Sequence, residues 1–174
     1  MRKLVVLLCA FTALVAATVA WAAEPTAGTL SVERGRGAVM IDLKGSVVGR
    51  VTSGTLRVMD HTPNDKYAAV VFGRKLTQER LGPRTVVYRG LGLRFRMLGG
   101  GYRMVARGSG ITVSAVGRGS VMLDGEPRFE ADDIGVYSLD GTDCSVDPLT
   151  CTPLPIEPER FLLEPPTPQA RGGS

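Results

Sequence analysis

Short runs of alternating apolar and polar residues, separated by glycine, dominate the central part of the sequence. In residues 90–125 the glycines Gly90, Gly99, Gly108 and Gly117 follow one another at steps of nine residues. Within each run the apolar residues fall on one parity, and residues of one parity share one face of a β-strand. The pattern therefore predicts strands with one buried face and one solvent-facing side.

The same pattern occurs in residues 28–60, again with glycines at steps of about nine. No run after the first residues shows helical spacing of apolar positions, and only residues 75–81 are expected to form a turn of helix. We therefore predict an all-β single domain of mostly antiparallel, glycine-punctuated strands, arranged as a sandwich or a barrel-like meander of hairpins. A short β-solenoid is the alternative.

The parity of each run assigns residues to the two sides of these strands. The positions predicted to point inward are Leu30, Val32, Val39, Ile41, Leu43, Val47, Val51, Leu56, Val58, Leu91, Leu93, Phe95, Met97, Tyr102, Met104, Ala106, Ile111, Val113 and Ala115. The charged positions of the first series predicted to point outward are Glu33, Asp42, Lys44, Arg50 and Arg57.

Residues 1–22 start with two basic residues, continue as an uncharged apolar run and end in a small-x-small motif, as secretory signal peptides do. We predict that this segment is cleaved and that the protein is secreted or located in the cell envelope. An association with the membrane is expected only if the segment stays uncleaved. We assign residues 23–125 to a basic β domain, residues 126–164 to an acidic, proline-rich segment that packs on it, and residues 165–174 to a disordered tail.

Cys144 and Cys151 are the two cysteines that remain after the signal segment. An exported chain meets an oxidising compartment, so we predict that they form a disulfide. The ring is small, so the bond is expected to stabilise the fold locally by roughly 2.5 kcal/mol. A redox-active pair would need the closer C-x-x-C spacing.

The modest net charge of +4 hides two opposite blocks. Residues 26–123 contain sixteen Lys and Arg against five Asp and Glu, whereas residues 124–164 contain eleven Asp and Glu against two Arg. An uncompensated excess of one sign repels itself in a compact domain, so a neutralising partner is expected.

Five arginines of the second series alternate with core positions, so their guanidinium groups share one sheet face if the strands are neighbours. They are Arg89, Arg94, Arg96, Arg103 and Arg107. Such a face attracts phosphates and carboxylates. Two interpretations stay open: the acidic segment 126–164 covers this face, or the face binds an anionic cell-wall or extracellular polymer. A third interpretation combines them, with the segment covering the face until a competitor displaces it. Recognition of a specific nucleic acid is not expected.

Little in the sequence supports catalysis. His61 is the only histidine, and Asp60, His61 and Asp65 are the candidate residues for a metal site or an acid/base pair. The acids of residues 124–147 could offer oxygen ligands to calcium, but their spacing matches neither an EF-hand loop nor the G-G-x-G-x-D repeat of calcium β-rolls. We predict a non-catalytic binding or structural protein without a cofactor. A secreted enzyme with a site at Asp60 and His61, or a self-assembling β protein, is the alternative.

Overall fold

The structure is a computed structural model that describes residues 28–63, 68–129 and 133–164. These residues form one antiparallel sheet of seven strands, which is not closed. The strands are β1 (Gly28–Asp60), β2 (Val70–Arg80), β3 (Thr85–Met97), β4 (Gly101–Gly125), β5 (Val136–Ser138), β6 (Thr152–Pro153) and β7 (Glu159–Leu163), and a short 3-10 helix spans Pro148–Thr150. The predicted all-β class is therefore confirmed.

The signal segment 1–22 and the tail 165–174 lie outside the described residues. Within the described ranges, no helix has the length and apolar character needed to cross a membrane.

The two longest strands, β1 and β4, pair with each other in two registers. Gly117 of β4 lies between Gly28 and Gly45 of β1, and Gly37 of β1 lies between Gly108 and Gly125 of β4. Part of each long strand is therefore flanked on both sides by segments of the other long strand. The two strands form a coiled ribbon whose successive turns are hydrogen-bonded to each other. β3 continues the sheet beside β1, followed by β2 at one edge, and β7 pairs with β4 at the other.

Five glycines on neighbouring strands lie in one line across this sheet. In sheet order they are Gly90, Gly54, Gly108, Gly37 and Gly125. We call this line the glycine row. Gly108 has a φ of 137°, which side chains rarely adopt, and a Cβ atom there would lie 2.0 Å from the carbonyl oxygen of Ser53. The row therefore needs residues without a side chain, because the backbones of adjacent strands come too close for one.

The hairpin meander suggested by the nine-residue step does not form. Gly108 and Gly117 lie inside β4 and not between strands. The repeat instead aligns glycines on neighbouring strands of the sheet. The solenoid alternative also does not apply, because β1 and β4 pair in antiparallel orientation and not as the stacked coils of a β-solenoid. Residues 75–81, where a turn of helix is predicted, belong mostly to β2, which has register irregularities on both sides of Arg74.

The coiled sheet packs around one core. Almost every position predicted to point inward is buried in it. Two of the predicted orientations are wrong. Leu91, predicted to point inward, is 39% exposed, and Glu33, predicted to point outward, is only 8% exposed. In β4 the inward residues have even numbers up to Ala106 and odd numbers from Ile111 onward. The parity changes because the backbone is irregular at the glycine row, and the row thereby divides the sheet into two halves.

The acidic segment belongs to the same domain. β5 pairs with residues 31–33 of β1, β7 pairs with residues 119–123 of β4, and Ile134, Leu154 and Leu163 are buried in the common core. Cys144 and Cys151 form the predicted disulfide, with their Cα atoms 5.9 Å apart. The segment therefore completes the edges of the sheet and contributes to its core.

Candidate functional site

The five arginines singled out in the sequence are all exposed, but the glycine row separates them into two groups. Arg89 and Arg107 lie on either side of Thr55, and Arg103 follows in the same half of the sheet. Arg94 and Arg96 lie beyond the row, in the other half. The single face predicted from parity is therefore two separate surfaces.

Acidic residues of neighbouring strands neutralise two members of the first group, Arg89 and Arg103. Glu79 of β2 accepts a hydrogen bond from Arg89 at 2.7 Å, and Asp42 of β1 accepts one from the Arg103 Nε at 2.8 Å. None of the ion pairs found in residues 28–63, 68–129 and 133–164 joins the five arginines to residues 126–164.

The second group contains two arginines directly opposite each other. Arg94 of β3 pairs in register with Arg50 of β1. Like charges at opposed positions of an antiparallel pair repel and destabilise the sheet. Neither Arg94 nor Arg96 has a hydrogen bond or an ion pair with another described residue, so their charges are not compensated within that part of the chain.

Arg50 is oriented away from Arg94 by partners on the other side. Its Nε donates to the Thr112 Oγ1 at 3.3 Å, and its terminal nitrogen donates to a Glu33 Oε1 at 3.4 Å. Glu33 is nearly buried, and its second carboxylate oxygen has no hydrogen-bond partner among the described residues. Among the described residues, Glu33 is thus the one carboxylate that forms an ion pair with either arginine of this pair, and its partner is Arg50.

A cleft of about 500 Å³ opens beside the opposed pair. We call it the arginine cleft. Its lining residues are Arg50, Val51, Thr52, Phe72, Gly73, Arg74, Gly92 and Arg94. Three of them are arginines and none is acidic. Phe72 is opposite Arg94 on β2 and is 67% exposed, so it adds an apolar surface beside the guanidinium groups.

His61 contacts a residue that the sequence does not suggest. Its Nε2 is 3.3 Å from an Asp42 carboxylate oxygen, whereas Asp60 accepts a hydrogen bond from the backbone N–H of Thr62 at 2.8 Å. Burial would raise the pKa of Asp42, but Arg103 and His61 outweigh this effect and lower it. Of the three candidate metal or acid/base residues, Asp65 lies outside the described residues.

Two acids of the C-terminal segment accept hydrogen bonds from neighbouring polar groups. Asp140 accepts from the Ser138 hydroxyl and the Thr142 N–H, which lower its pKa to about 2. Asp143 likewise accepts from the N–H and hydroxyl of Ser145. The part of the chain that the structure describes contains no group of three His, Cys, Asp or Glu that could hold a metal ion.

Arg50 and Arg74 are the arginines of the cleft that the sequence prediction omits from the site. Arg50 is on the predicted outward parity, but it comes from the first series, and only the register brings it opposite Arg94. Arg74 lies in the region between the two series. Comparison with protein-family models, curated proteins and solved structures finds no match to this chain.

Proposed function

We propose that the protein is an exported, non-catalytic binding protein and that it holds a segment of an anionic polymer in the arginine cleft. The opposed pair of Arg50 and Arg94 is the observation that carries this proposal. Both side chains start from directly opposed positions and line one cleft, so a phosphate or carboxylate bound there would be attracted by both. Arg94 can donate two parallel hydrogen bonds to the anion, and Arg50 can add the donors that Thr112 and Glu33 leave free.

The surroundings of the pair support a polymer as the ligand. Arg74 lies in the same cleft, and Arg96 follows Arg94 on the same side of β3, so the positive charge extends along the strand. Consecutive anionic units of an extended chain can meet these charges in turn. The exposed ring of Phe72 offers a surface for the apolar part of a repeating unit.

An extracellular or cell-envelope location agrees with two features. The disulfide between Cys144 and Cys151 is compatible with an oxidising compartment. Residues 1–22 have the composition of a signal peptide. In that location the anionic polymers are those of the cell wall and the surrounding matrix.

Self-assembly through sheet edges receives less support. β2 is an exposed edge strand that pairs only with β3 within the described residues. It carries Arg74, Lys75, Glu79 and Arg80, and Lys75 has a φ of 50°. Charged residues and irregular backbone are the features by which natural proteins prevent edge strands from pairing with other chains. We therefore favour ligand binding over assembly.

Titration with polyphosphate and with poly-L-glutamate tests the proposal, because these polymers carry the two anionic groups that arginine recognises. We expect salt-sensitive binding of at least one of them by the full chain without residues 1–22. The double variant Arg50→Gln/Arg94→Gln should bind it more than about tenfold more weakly. The slope of log K against log salt should decrease by roughly two, one for each lost contact.

Arg57→Gln/Arg84→Gln is the matched control, because it removes the same charge from two exposed positions outside the cleft. It should weaken binding by no more than about threefold, because it reduces only the overall positive electrostatic potential of the protein. Equal losses in the two double variants, or no binding of either polymer at low salt, would show that the arginine cleft is not a polyanion site.

A further inference from the structure

An apolar strip lies on the solvent-facing side of the other half of the sheet. Met40 of β1 pairs in register with Val105 of β4 on one side and with Met122 of β4 on the other, so the three side chains are neighbours on adjacent strands. Their parity is outward, because the next residues along the strands, such as Ile41 and Met104, are in the core. We call Met40, Val105 and Met122 the methionine strip.

Positively charged groups surround the strip. Arg57 pairs with Val105 at one end of this line, and Arg160 of β7 pairs with Met122 at the other. Arg103 lies beside the strip on β4. A groove of about 220 Å³ runs here, and its lining residues are Met40, Ile41, Asp42, Arg103, Val105, Ser120, Met122 and Arg160.

Two of these arginines are held in place and still have donors to offer. Asp42 binds Arg103, and the Ser120 hydroxyl accepts a hydrogen bond from Arg160 at 3.0 Å. A guanidinium group has five N–H donors, so each arginine can also bind an anion. Asp42 compensates part of the charge of Arg103, whereas the partner of Arg160 is neutral. The structure therefore presents a positioned cationic pair beside an apolar floor.

We propose that this groove binds one molecule of an anionic amphiphile, with its acyl chain on the methionine strip and its acidic head group on Arg160 and on the donors of Arg103 that Asp42 leaves free. The three half-buried apolar side chains in one line on the solvent-facing side of the sheet offer a surface on which an acyl chain can lie. Methionine adapts its shape to flexible apolar partners, and arginine recognises carboxylate, sulfate and phosphate groups. This site lies across the glycine row from the arginine cleft, so it does not depend on the function proposed above.

Calorimetric titration with dodecanoate below its micellar concentration tests this site. We expect saturable binding with one molecule per chain. Dodecyl maltoside has the same alkyl chain with a neutral head group, and acetate has the head group without the chain. Both should bind at least about tenfold more weakly than dodecanoate, because each lacks one of the two contacts.

Variants at the groove separate the two contributions. Met122→Ser and Arg160→Gln should each weaken dodecanoate binding by about fivefold or more, whereas Met122→Leu keeps the apolar surface and should bind as the wild type does. Leu149→Ser and Arg84→Gln are the controls, since Leu149 is 95% exposed on the 3-10 helix and Arg84 is exposed between β2 and β3. The melting temperature of each variant verifies that it is folded.

Equal binding by the groove variants and the controls would overturn the proposal, as would equal binding of dodecanoate and dodecyl maltoside. Binding to vesicles of anionic phospholipid without binding of monomeric dodecanoate would also overturn it and would assign the strip to a membrane surface. The double variant Arg50→Gln/Arg94→Gln should bind dodecanoate normally, and a loss of binding in that variant would contradict two separate sites.

Discussion

The two groups of arginines differ in what surrounds them, although both lie on the solvent-facing side of one sheet. In one half, Asp42 on the adjacent β1 holds Arg103 by an ion pair. In the other half, Arg94 of β3 lies opposite Arg50 of β1 and has no hydrogen-bond or ion-pair partner in the described part of the chain. The register therefore determines whether an outward arginine lies opposite an acidic residue that can pair with it or opposite another arginine.

Substitution within the glycine row should have the largest effect, because the row separates the two surfaces and supports both. We expect Gly108→Ala to lower the free energy of unfolding by about 3 kcal/mol or more, because the Cβ atom would collide with the Ser53 carbonyl oxygen and the φ of 137° is unfavourable for alanine. Urea unfolding monitored by circular dichroism measures this change.

Gly82→Ala is the matched control for that substitution. Gly82 also has a positive φ, 120°, but a Cβ atom there would have no neighbour within 4 Å. We expect a loss of only about 1 kcal/mol, from backbone strain alone. Similar losses in Gly82→Ala and Gly108→Ala would show that close approach of the strands is not what requires glycine in the row.

Removal of the ion pair in the neutralised half should have a smaller effect. We expect Arg103→Gln to lower the free energy of unfolding by about 0.5–1 kcal/mol, because both partners are partly exposed and solvent screens their attraction. The measurement is urea unfolding at low salt. In the double variant with Asp42→Asn, the loss of Arg103 should cost nothing further; additive losses would contradict a specific pair.

The pH dependence of stability should also come from Asp42 in this half of the sheet. Its folded pKa lies below the ordinary value of 3.8, so its contribution to stability is present above that pH and is lost as the pH falls through the folded pKa. The contribution is less than about 1 kcal/mol for an exposed pair. Unfolding experiments between neutral pH and about pH 2 should show a smaller acid loss in Asp42→Asn than in the wild type. Equal acid losses would mean that Asp42 is not perturbed.

Substitution of Arg94 should have the smallest effect and the opposite sign. Arg94→Gln removes the repulsion with Arg50, so we expect the free energy of unfolding to rise by about 0.2–0.5 kcal/mol. High salt should abolish this gain, because it screens the charges in the wild type as well. A loss of stability in Arg94→Gln at low salt would indicate that Arg94 has a structural role like that of Arg103.

The all-β class, the disulfide between Cys144 and Cys151, and nearly all of the core are predictable from the sequence. These properties follow from local rules: parity assigns a residue to one face of a strand, and two cysteines close in sequence can meet in an oxidising compartment. Glu33 departs from the parity rule because it lies next to the bulge that precedes Gly35.

Which residues lie opposite each other on neighbouring strands can be read only from the tertiary structure. Parity cannot show that β1 and β4 pair in two registers, that the glycines align in one row, or that Arg50 lies opposite Arg94 and Asp42 opposite Arg103. Register depends on contacts between residues far apart in the chain, and a shift of one residue moves every side chain to the other face. For this reason the arginines were predictable as outward residues, whereas their division into a neutralised group and an open cleft was not.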